Sequence, residues 1–487
     1  MDNSYDVNIP EKQWHRQVLN WLDQRTGINL LLKKSLDEPI PGGARWAYVF
    51  GSGLLFLFLS QVITGVFLTL YYVPSADHAH TTVAYITKEV TAGSLLRSVH
   101  SYGSSVIVIV LMMHFSQVFL FGSYKGRREL LWVSGCFLAV LMIGMAFTGY
   151  LLPWDQKAYF ATAVGTNIIS EIPLVGELLK RLVRGGAEIG TLTVSRFFVA
   201  HILLIPGLIF GLIAIHVYLF RKAGAAGPIN ADPIQPQQPT EKFYTRQIFM
   251  DLGFALILII ALGLLAHFKP VELGPKANPA DTQYLPRPEW YYTPMFQWLK
   301  YWNGRWAIVG ILVIPSLLST LVASLPFFDR KPERRPWKRP LAVSVFSVII
   351  LALIGLGILS YLDDKDPNVA SQLARQNQET DQFMQSPFEP EVTKSSSPGG
   401  TVISPDRQLM QGKSLYETNS CNVCHGDNGM GTPAGPALVR IGGKYSSEQL
   451  IILIRQPTQA MRAGGMSPIN LSDDEMKSLI GYLNGLK

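Results

Sequence analysis

Four of the nine histidines lie inside two of the long apolar stretches, where an ionisable side chain is costly to place. His100 and His114 are 14 residues apart in one stretch, and His201 and His216 are 15 apart in another. Fourteen residues are close to four helical turns, so the first two imidazoles leave one helix face roughly 21 Å apart. Pro206 lies between the second two, and a kink there accommodates the extra residue. The two helices therefore present paired imidazoles at matching heights.

This arrangement predicts two haem sites stacked across a membrane. Low-spin haem iron takes two axial nitrogens on opposite faces, whereas zinc needs four ligands at one point, which a separation of roughly 21 Å excludes. Histidines that are merely satisfied core residues are the alternative. Arg97, one turn before His100, is placed to pair with a haem propionate, although a snorkelling arginine would look identical.

Glycines in two other apolar stretches repeat the same spacing of 14 residues, as the pairs Gly51 with Gly65 and Gly135 with Gly149. A porphyrin is a wide plate, and glycine leaves room beside it because it has no side chain. Small residues at an ordinary helix-packing face are the alternative. We expect all four glycines to flank the haem sites.

A second motif lies near the C-terminus, where Cys421, Cys424 and His425 form a CxxCH sequence. This pattern attaches haem c through two thioethers and supplies one axial nitrogen. A redox-active pair or half of a zinc site is the alternative for the two cysteines alone. Cys136, inside an apolar stretch, is interpreted as a packing residue.

The elements that must position these residues are membrane helices. Only 16% of the 487 residues are charged, against about 25% in typical soluble proteins. Seven apolar stretches are each long enough to cross a hydrocarbon core about 30 Å thick; they are 46–72, 95–121, 131–152, 196–220, 248–268, 305–328 and 341–362. A disordered chain, a nucleic-acid-binding protein and a disulfide-stapled secreted domain are excluded. The predicted fold class is all-α, a polytopic bundle with a helical soluble domain attached.

Charge distribution predicts the orientation. Nineteen Lys and Arg residues fall in the N-terminal arm and in the loops after the second, fourth and sixth stretches, and the positive-inside rule places these in the cytoplasm. Seven crossings then put the C-terminal segment outside a bacterial cell membrane. No secretory signal opens the chain, since residues 1–10 are polar.

The chain divides into four predicted regions, 1–222 with four spans, 223–362 with three spans, a flexible tether 363–405 and a soluble domain 406–487. The tether is polar and rich in Ser, Gln, Asp and Pro. We also expect a surface helix within 11–34 and one or two amphipathic helices within 153–194.

The membrane part resembles the cytochrome b family of bc-type quinol oxidoreductases. Residues 40–230 carry the likeness in the segments SQVITGVFLTLYYVP, RSVHSYGSSVIVIVLMMH, RRELLWVSG, GYLLPWDQKAYFA and AGAAGPI. Residues 240–362 resemble subunit IV of the cytochrome b6 branch, and PEWYYTPMFQWL at 288–299 is their most specific signature. The spacing of 15 residues in the fourth span is also similar to that branch.

The resemblance implies roles for individual residues. The outer haem b is held by His100 and His201 and the inner one by His114 and His216. An implied quinol-oxidation site comprises Pro288, Glu289, Trp290 and Tyr291, with Tyr150 and the amphipathic segment on its other side. Glu289 would take one of the two protons that quinol oxidation releases; an exposed interfacial carboxylate is the alternative.

An inner quinone site is implied near Arg221 and the N-terminal arm. Val49 stands where cytochrome b6 has a cysteine that anchors an additional haem, so we do not predict that haem.

The C-terminal sequence GKSLYETNSCNVCHGDNGMGTPAGPAL resembles a class I cytochrome c, whose haem iron takes a methionine as sixth ligand. Met466, before a predicted closing helix at 472–485, is the preferred candidate. Met461 and Met430 are the alternatives.

Together these likenesses imply a fused cytochrome b and c subunit of a bacterial quinol:cytochrome c oxidoreductase, with two haems b, one covalent haem c and quinone as substrate. A Rieske iron–sulfur protein, a soluble cytochrome c or terminal oxidase, membrane lipid and a second copy in a homodimer are the implied partners. One of quinol's two electrons would go to the Rieske protein and haem c, and the other would cross the membrane between the haems b, coupled to proton translocation.

A b-type membrane anchor of a dehydrogenase or hydrogenase is one alternative, and a transporter or scaffold without redox chemistry is another.

Overall fold

The computed structural model describes residues 11–30, 36–229, 240–281, 283–390 and 405–486. The chain forms two compact units, residues 1–391 and 392–487. Both are helical, and the strands among the described residues are two short segments, β1 (Pro39–Pro41) and β2 (Thr240–Lys242), which pair antiparallel. This confirms the all-α class predicted from the sequence.

Within the described part of the first unit, seven helices are long and apolar enough to cross a membrane, as predicted. In chain order these spans are Phe50–Thr69, Gly93–Leu120, Glu129–Tyr150, Thr191–Ala223, Ile248–Phe268, Val309–Phe328 and Pro340–Asp363. Large apolar side chains are exposed along them, such as Leu351 at 66%. Such a surface is stable only against lipid, so the spans define a polytopic membrane protein.

The fourth span is not a uniform α-helix. Ala200–Leu204, which includes His201, is a π-helical turn, and α-helix resumes from Ile205 to Ala223. A π turn holds one more residue than an α turn, and Pro206 cannot donate the backbone hydrogen bond that would close a regular turn there. The extra residue between His201 and His216 is therefore taken up by a π turn just before the proline, where the sequence predicts a kink.

One side of the membrane unit, here called the helical face, is built from short helices between the spans. These are Ala79–Lys88, Gln156–Ser170, Gly176–Arg184 and Thr293–Leu299. Asp155 caps the second of them, because its carboxylate accepts a hydrogen bond from the Ala158 amide at 2.8 Å. The prediction of one or two helices within 153–194 is thus confirmed, with two present, whereas Ala79–Lys88 was not predicted.

The predicted tether 363–405 is wrong in its first half. Pro367–Gln385 is a helix capped by Asp366, and its end packs on the helical face through Phe383 and Met384. Lys88 caps the C-terminal end of this helix, because its ammonium donates to the carbonyls of Phe383 and Ser386 at 2.5 and 2.7 Å. The helix forms because these contacts cover its few apolar residues. Residues 391–404 of the tether lie outside the described residues.

The opposite side, here called the basic face, joins the two membrane regions. Lys125 forms an ion pair with Asp329 at 2.6 Å, and Tyr124 and Arg339 surround that carboxylate. Burial raises the pKa of Asp329, but the hydrogen bonds from Lys125 and Tyr124 outweigh burial and hold that pKa below its usual value. The charged cluster therefore links the loop after the second span to the end of the sixth.

Strands β1 and β2 tie the N-terminal arm to the start of the fifth span at the same face. The predicted surface helix is Glu11–Thr26, followed by Gly27 with a φ of +63°. Residues 31–34 of the predicted range 11–34 lie outside the described part of the chain.

The second unit is a small helical domain with its own apolar core. Its helices are Pro405–Thr418, Cys421–His425, Ser447–Arg455, Gln459–Ala463 and Asp473–Gly485. Tyr416, Leu450 and Leu479 are buried among the residues at its centre. The closing helix predicted at 472–485 is confirmed, with Ser472 and Glu475 forming a capping box at its start.

Candidate functional site

Each of the four membrane histidines faces a glycine of a neighbouring span. A Cβ on Gly149 would lie 2.6 Å from Cε1 of His201, and one on Gly51 would lie 3.5 Å from Cε1 of His114. The other two pairs are Gly65 with His100 and Gly135 with His216, both at 3.2 Å. The space left by each glycine is therefore occupied by an imidazole, whereas the sequence interpretation assigned that space to a porphyrin.

Three hydroxyl groups fix how three of these imidazoles are protonated. Thr64, Ser134 and Thr148 each precede a glycine, and their oxygens lie 2.9, 2.9 and 3.2 Å from Nδ1 of His100, His216 and His201. Each hydroxyl already donates its proton to a backbone carbonyl of its own helix, at distances of 2.8 to 3.0 Å. Each oxygen must therefore accept from Nδ1–H, which leaves the lone pair on Nε2 free for a metal.

The geometry of the pairs fits haem. The ring centroids of His100 and His201 are 6.2 Å apart, close to the roughly 6 Å expected for two imidazoles whose nitrogens each lie about 2 Å from one metal ion. His114 and His216 also lie within electrostatic reach of each other. Four imidazoles arranged as two pairs, with three held in the metal-binding tautomer, match the donor set of two bis-histidine haems.

Arg97 has partners other than the predicted propionate. Its guanidinium is buried and donates to the backbone carbonyls of Val271 and Glu272, both at 2.8 Å, and to the Thr87 hydroxyl. These contacts fix the loop that follows the fifth span against the second span. The propionate role of Arg97 stays a prediction.

An apolar cavity of about 120 Å³ opens at the helical face, where one water would need only roughly 10–15 Å³. Its walls come from helix Gln156–Ser170 and from the segment that contains the PEWY sequence, and they comprise Ala161, Val164, Gly165, Ile168, Pro286, Pro288, Tyr292, Met295, Phe296 and Leu299. Such a cavity suits an apolar ring more than a charged molecule.

An ion pair lies next to the cavity wall. Glu289 follows Pro288, and its carboxylate is 2.8 Å from the ammonium of Lys157 on helix Gln156–Ser170. The same ammonium lies 5.5 Å from the centre of the Tyr150 ring, and the Tyr150 hydroxyl donates to the Arg287 carbonyl at 3.3 Å. The structure thus brings together Glu289, Tyr150 and Pro288.

The other two predicted quinol-site residues point elsewhere. The Trp290 indole donates to the Ser105 hydroxyl at 3.3 Å and is 47% exposed, and Tyr291 is not among the wall residues. Burial, and then the charge of Glu289, raise the pKa of Tyr291 to about 12. Both residues support the loop rather than line the cavity.

Sequence reasoning missed two residues of this site, Lys157 and Tyr292. A helical signal for the first was available, because Lys157, Ala161, Val164 and Ile168 are spaced to share one helix face. Tyr292 is one residue beyond the PEWY motif. The Tyr292 hydroxyl donates to the Ile143 carbonyl at 2.7 Å.

A larger cavity, of about 250 Å³, lies between the end of the first span and helix Ala79–Lys88. Its walls are apolar, and Tyr71 is the one ionisable residue among them. It therefore offers no acceptor for a proton at neutral pH.

Three other residues named from the sequence have ordinary surroundings. Arg221, the candidate for an inner quinone site, forms an ion pair with Glu38 at 3.0 Å. Val49 is 2% exposed. Cys136 packs against the aromatic cluster of Phe119, Tyr124 and Trp132, in line with a packing role.

The CxxCH motif of the second unit is a short helix, Cys421–His425. Nδ1 of His425 lies 2.7 Å from the Pro436 carbonyl, to which it donates, so Nε2 is free to bind iron. Met466 packs against the core, whereas Met430 is 71% exposed. Burial of the thioether favours Met466 over Met430 as the sixth ligand.

Family comparisons match three parts of the chain. Residues 35–224 match cytochrome b/b6/petB, residues 276–375 match cytochrome b(C-terminal)/b6/petD, and residues 409–487 match cytochrome c. The first two together cover most of the membrane unit, and the third covers the helical domain that follows.

Curated relatives agree with this division. The chain is 33% identical to a cytochrome bc complex cytochrome b subunit of Chlorobaculum thiosulfatiphilum over 69% of its own length and 79% of the relative. It is 38% identical to a menaquinol:cytochrome c reductase cytochrome b subunit of Bacillus subtilis, over 44% of this chain and 99% of that one. A cytochrome b/c1 of Bradyrhizobium diazoefficiens is 33% identical over 70% of this chain and 50% of that relative.

A solved structure titled hyperthermophilic respiratory Complex III is similar in fold, with a TM-score of 0.64 and 26% identity over 76% of this chain and 98% of that one. The chain therefore belongs to the cytochrome b/b6 family of bc-type complexes and continues into a cytochrome c domain.

Proposed function

We propose that this protein is the combined cytochrome b and cytochrome c subunit of a bacterial quinol:cytochrome c oxidoreductase. The observation that carries the proposal is the set of two histidine pairs within the same helix bundle as the cavity beside Glu289. A bundle that binds redox groups through its thickness and holds a proton acceptor beside an apolar cavity suits quinol oxidation.

Three haems are assigned to named residues. His100 with His201 and His114 with His216 would hold two haems b, and Cys421, Cys424, His425 and Met466 would hold a haem c. When bound, the haems supply one-electron iron couples. The chain's own part is to orient the imidazoles, through Thr64, Ser134 and Thr148.

The cavity at the helical face is the proposed quinol site. Its apolar walls would hold the quinol ring, and Tyr292 and Pro288 would border it. Quinol oxidation releases two protons, and the Glu289 carboxylate would accept one from a quinol hydroxyl. Glu289 is 32% exposed, so it can pass that proton on to water.

We further propose that the helical face lies outside the cell and the basic face in the cytoplasm, because Lys and Arg concentrate at the cytoplasmic ends of spans. The cytochrome c domain then lies on the outer side, where haem c is attached. A Rieske iron–sulfur protein would be the partner at the quinol site, a soluble cytochrome c or oxidase would be the acceptor, and two copies would form the complex. Turnover would be coupled to proton translocation.

A spectrum and one variant test this proposal. The reduced-minus-oxidised spectrum of the purified complex should contain b-type and c-type haem in about a two-to-one ratio. Glu289→Gln should lower quinol-dependent reduction of cytochrome c by more than about tenfold, because an amide cannot accept the proton, while haem content stays that of the wild type. A preparation without b-type bands, or an unchanged rate in Glu289→Gln, would contradict the proposal.

A further inference from the structure

Lys157 and Glu289 connect the two walls of the quinol cavity. Lys157 is the second residue of helix Gln156–Ser170, and Glu289 lies 132 residues later in the loop before helix Thr293–Leu299. Their side chains meet at 2.8 Å and are 45% and 32% exposed. The pair therefore lies where the cavity wall meets water.

We propose that Lys157 is a positioning residue for quinol oxidation, which holds the Glu289 carboxylate at the cavity edge until quinol arrives. This inference rests on the proposed function and assigns the group that prepares its proton acceptor.

The surroundings of Glu289 make Lys157 important. Four phenols lie within electrostatic reach of its carboxylate, from Tyr102, Tyr150, Tyr291 and Tyr292. These phenols are neutral near pH 7 because ordinary tyrosine titrates near pH 10. Among the described residues, Lys157 is the cation that pairs with Glu289. The position of the Glu289 carboxylate therefore depends on this ion pair.

The ion pair between Lys157 and Glu289 is weak enough to open and form again in each turnover. Half-exposed ion pairs contribute only about 0–1 kcal/mol, so this one adds little to the stability of the fold and can open readily. The ammonium also has a second anchor, the Tyr150 ring at 5.5 Å, which keeps it near the site when the carboxylate leaves. Lys157 can therefore release Glu289 and take it back.

The proton step is balanced without a further reactant. The O–H bond of a quinol hydroxyl breaks and an O–H bond to a Glu289 oxygen forms, which neutralises the carboxylate and ends its attraction to Lys157. Release of that proton to water at the exposed side restores the charge, and the ion pair forms again.

The test compares three variants in the purified complex. Lys157→Gln removes the charge, Lys157→Arg keeps it, and Lys180→Gln is a control that removes a matched ion pair, since Lys180 lies 2.7 Å from Glu177 on the neighbouring helix Gly176–Arg184. Quinol-dependent cytochrome c reduction is measured from pH 5 to pH 9, with kcat and KM separated at each pH.

We expect Lys157→Gln to lower kcat about fivefold or more, with KM nearly unchanged, because a carboxylate without its ammonium partner is no longer held at the cavity edge. Lys157→Arg should restore most of the activity, and Lys180→Gln should match the wild type. A wild-type profile in Lys157→Gln, or equal losses in the Gln and Arg variants at every pH, would overturn the inference. An active Glu289→Gln variant would instead overturn the proposed function.

Discussion

Each of the four glycines that face a histidine is preceded by a residue that decides how the imidazole is held. Thr64, Ser134 and Thr148 each donate to a carbonyl of their own helix and so accept from a histidine. Phe50, which precedes Gly51 opposite His114, has no hydrogen-bonding side chain. The four imidazoles are thus not equivalent, and His114 is held differently from the other three.

The distance from each glycine to its histidine predicts how much haem an alanine substitution would cost. Gly149→Ala should lose most of one haem b, because its Cβ would lie 2.6 Å from His201 and displace the ring. Gly51→Ala should stay near wild type, because its Cβ would lie 3.5 Å from His114, an ordinary contact distance. Haem b per polypeptide, measured by absorbance of the extracted haem, checks both, and equal losses in the two variants would contradict the assignment.

His80 predicts a pH dependence. It is 3% exposed, its Nε2 donates to the Gly274 carbonyl at 2.8 Å, and burial lowers its pKa below the ordinary 6.5. Asp155 attracts a proton to His80, whereas Lys276 and Arg97 oppose it. The undocked histidine takes up a proton more readily than the docked one, so docking of the loop weakens as pH falls below about 6.5.

The measurement is hydrogen exchange at the Gly274 amide, which donates to Asp155. Its protection factor should fall several-fold from pH 7 to pH 5 in the wild type. His80→Gln keeps a donor without a titrating ring, so its protection should be nearly independent of pH. An identical pH trend in both proteins would show that another group is responsible.

At the scale of elements, the end of the seventh span supports the loop before Glu289 in the proposed quinol site. Arg287 forms an ion pair with Asp364 at 2.6 Å, packs over the Phe296 ring, and offers its carbonyl to the Tyr150 hydroxyl. The backbone just before Glu289 is therefore fixed from two spans. This arrangement makes Asp364 a structural support for a site that it does not touch.

Asp364→Asn should raise the KM for quinol about fivefold, which corresponds to about 1 kcal/mol for a partly buried ion pair. The b-type and c-type haem content should not change. Glu379→Gln, which removes an exposed ion pair with Arg375 on the next helix, should leave KM as in the wild type. A lower kcat with unchanged KM in Asp364→Asn would contradict a role in shaping the cavity.

At the scale of the whole molecule, the two compact units predict separable haem incorporation. Cys421→Ala should abolish the c-type band, because the motif loses a thioether, while both b-type haems remain. Cys136→Ala, which changes a packing residue in the third span, should keep all bands. A haem stain on a denaturing gel together with the reduced spectrum gives the answer, and loss of the b-type bands in Cys421→Ala would show that the units depend on each other.

The features that could be predicted from the sequence are those decided by neighbouring residues. The seven spans were predictable because apolar length alone decides membrane insertion, and the spacing of His100 from His114 follows from helix geometry. Helix Pro367–Gln385 was missed because its apolar residues, Phe383 and Met384, are few and are covered only by a distant surface. The Lys157–Glu289 pair was equally hidden, since periodicity carries no information about partners 132 residues apart.

The π turn at Ala200–Leu204 has a genetic consequence. Adding one codon to a helix ordinarily rotates everything after it by about 100°, which would turn His216 away from His114. Here the extra residue is accommodated within the five residues of the π turn, and Ile205–Ala223 continues as regular α-helix. Deletion of a single codon between 202 and 204 should therefore be tolerated, whereas the same deletion between Gly207 and Ile215 should not.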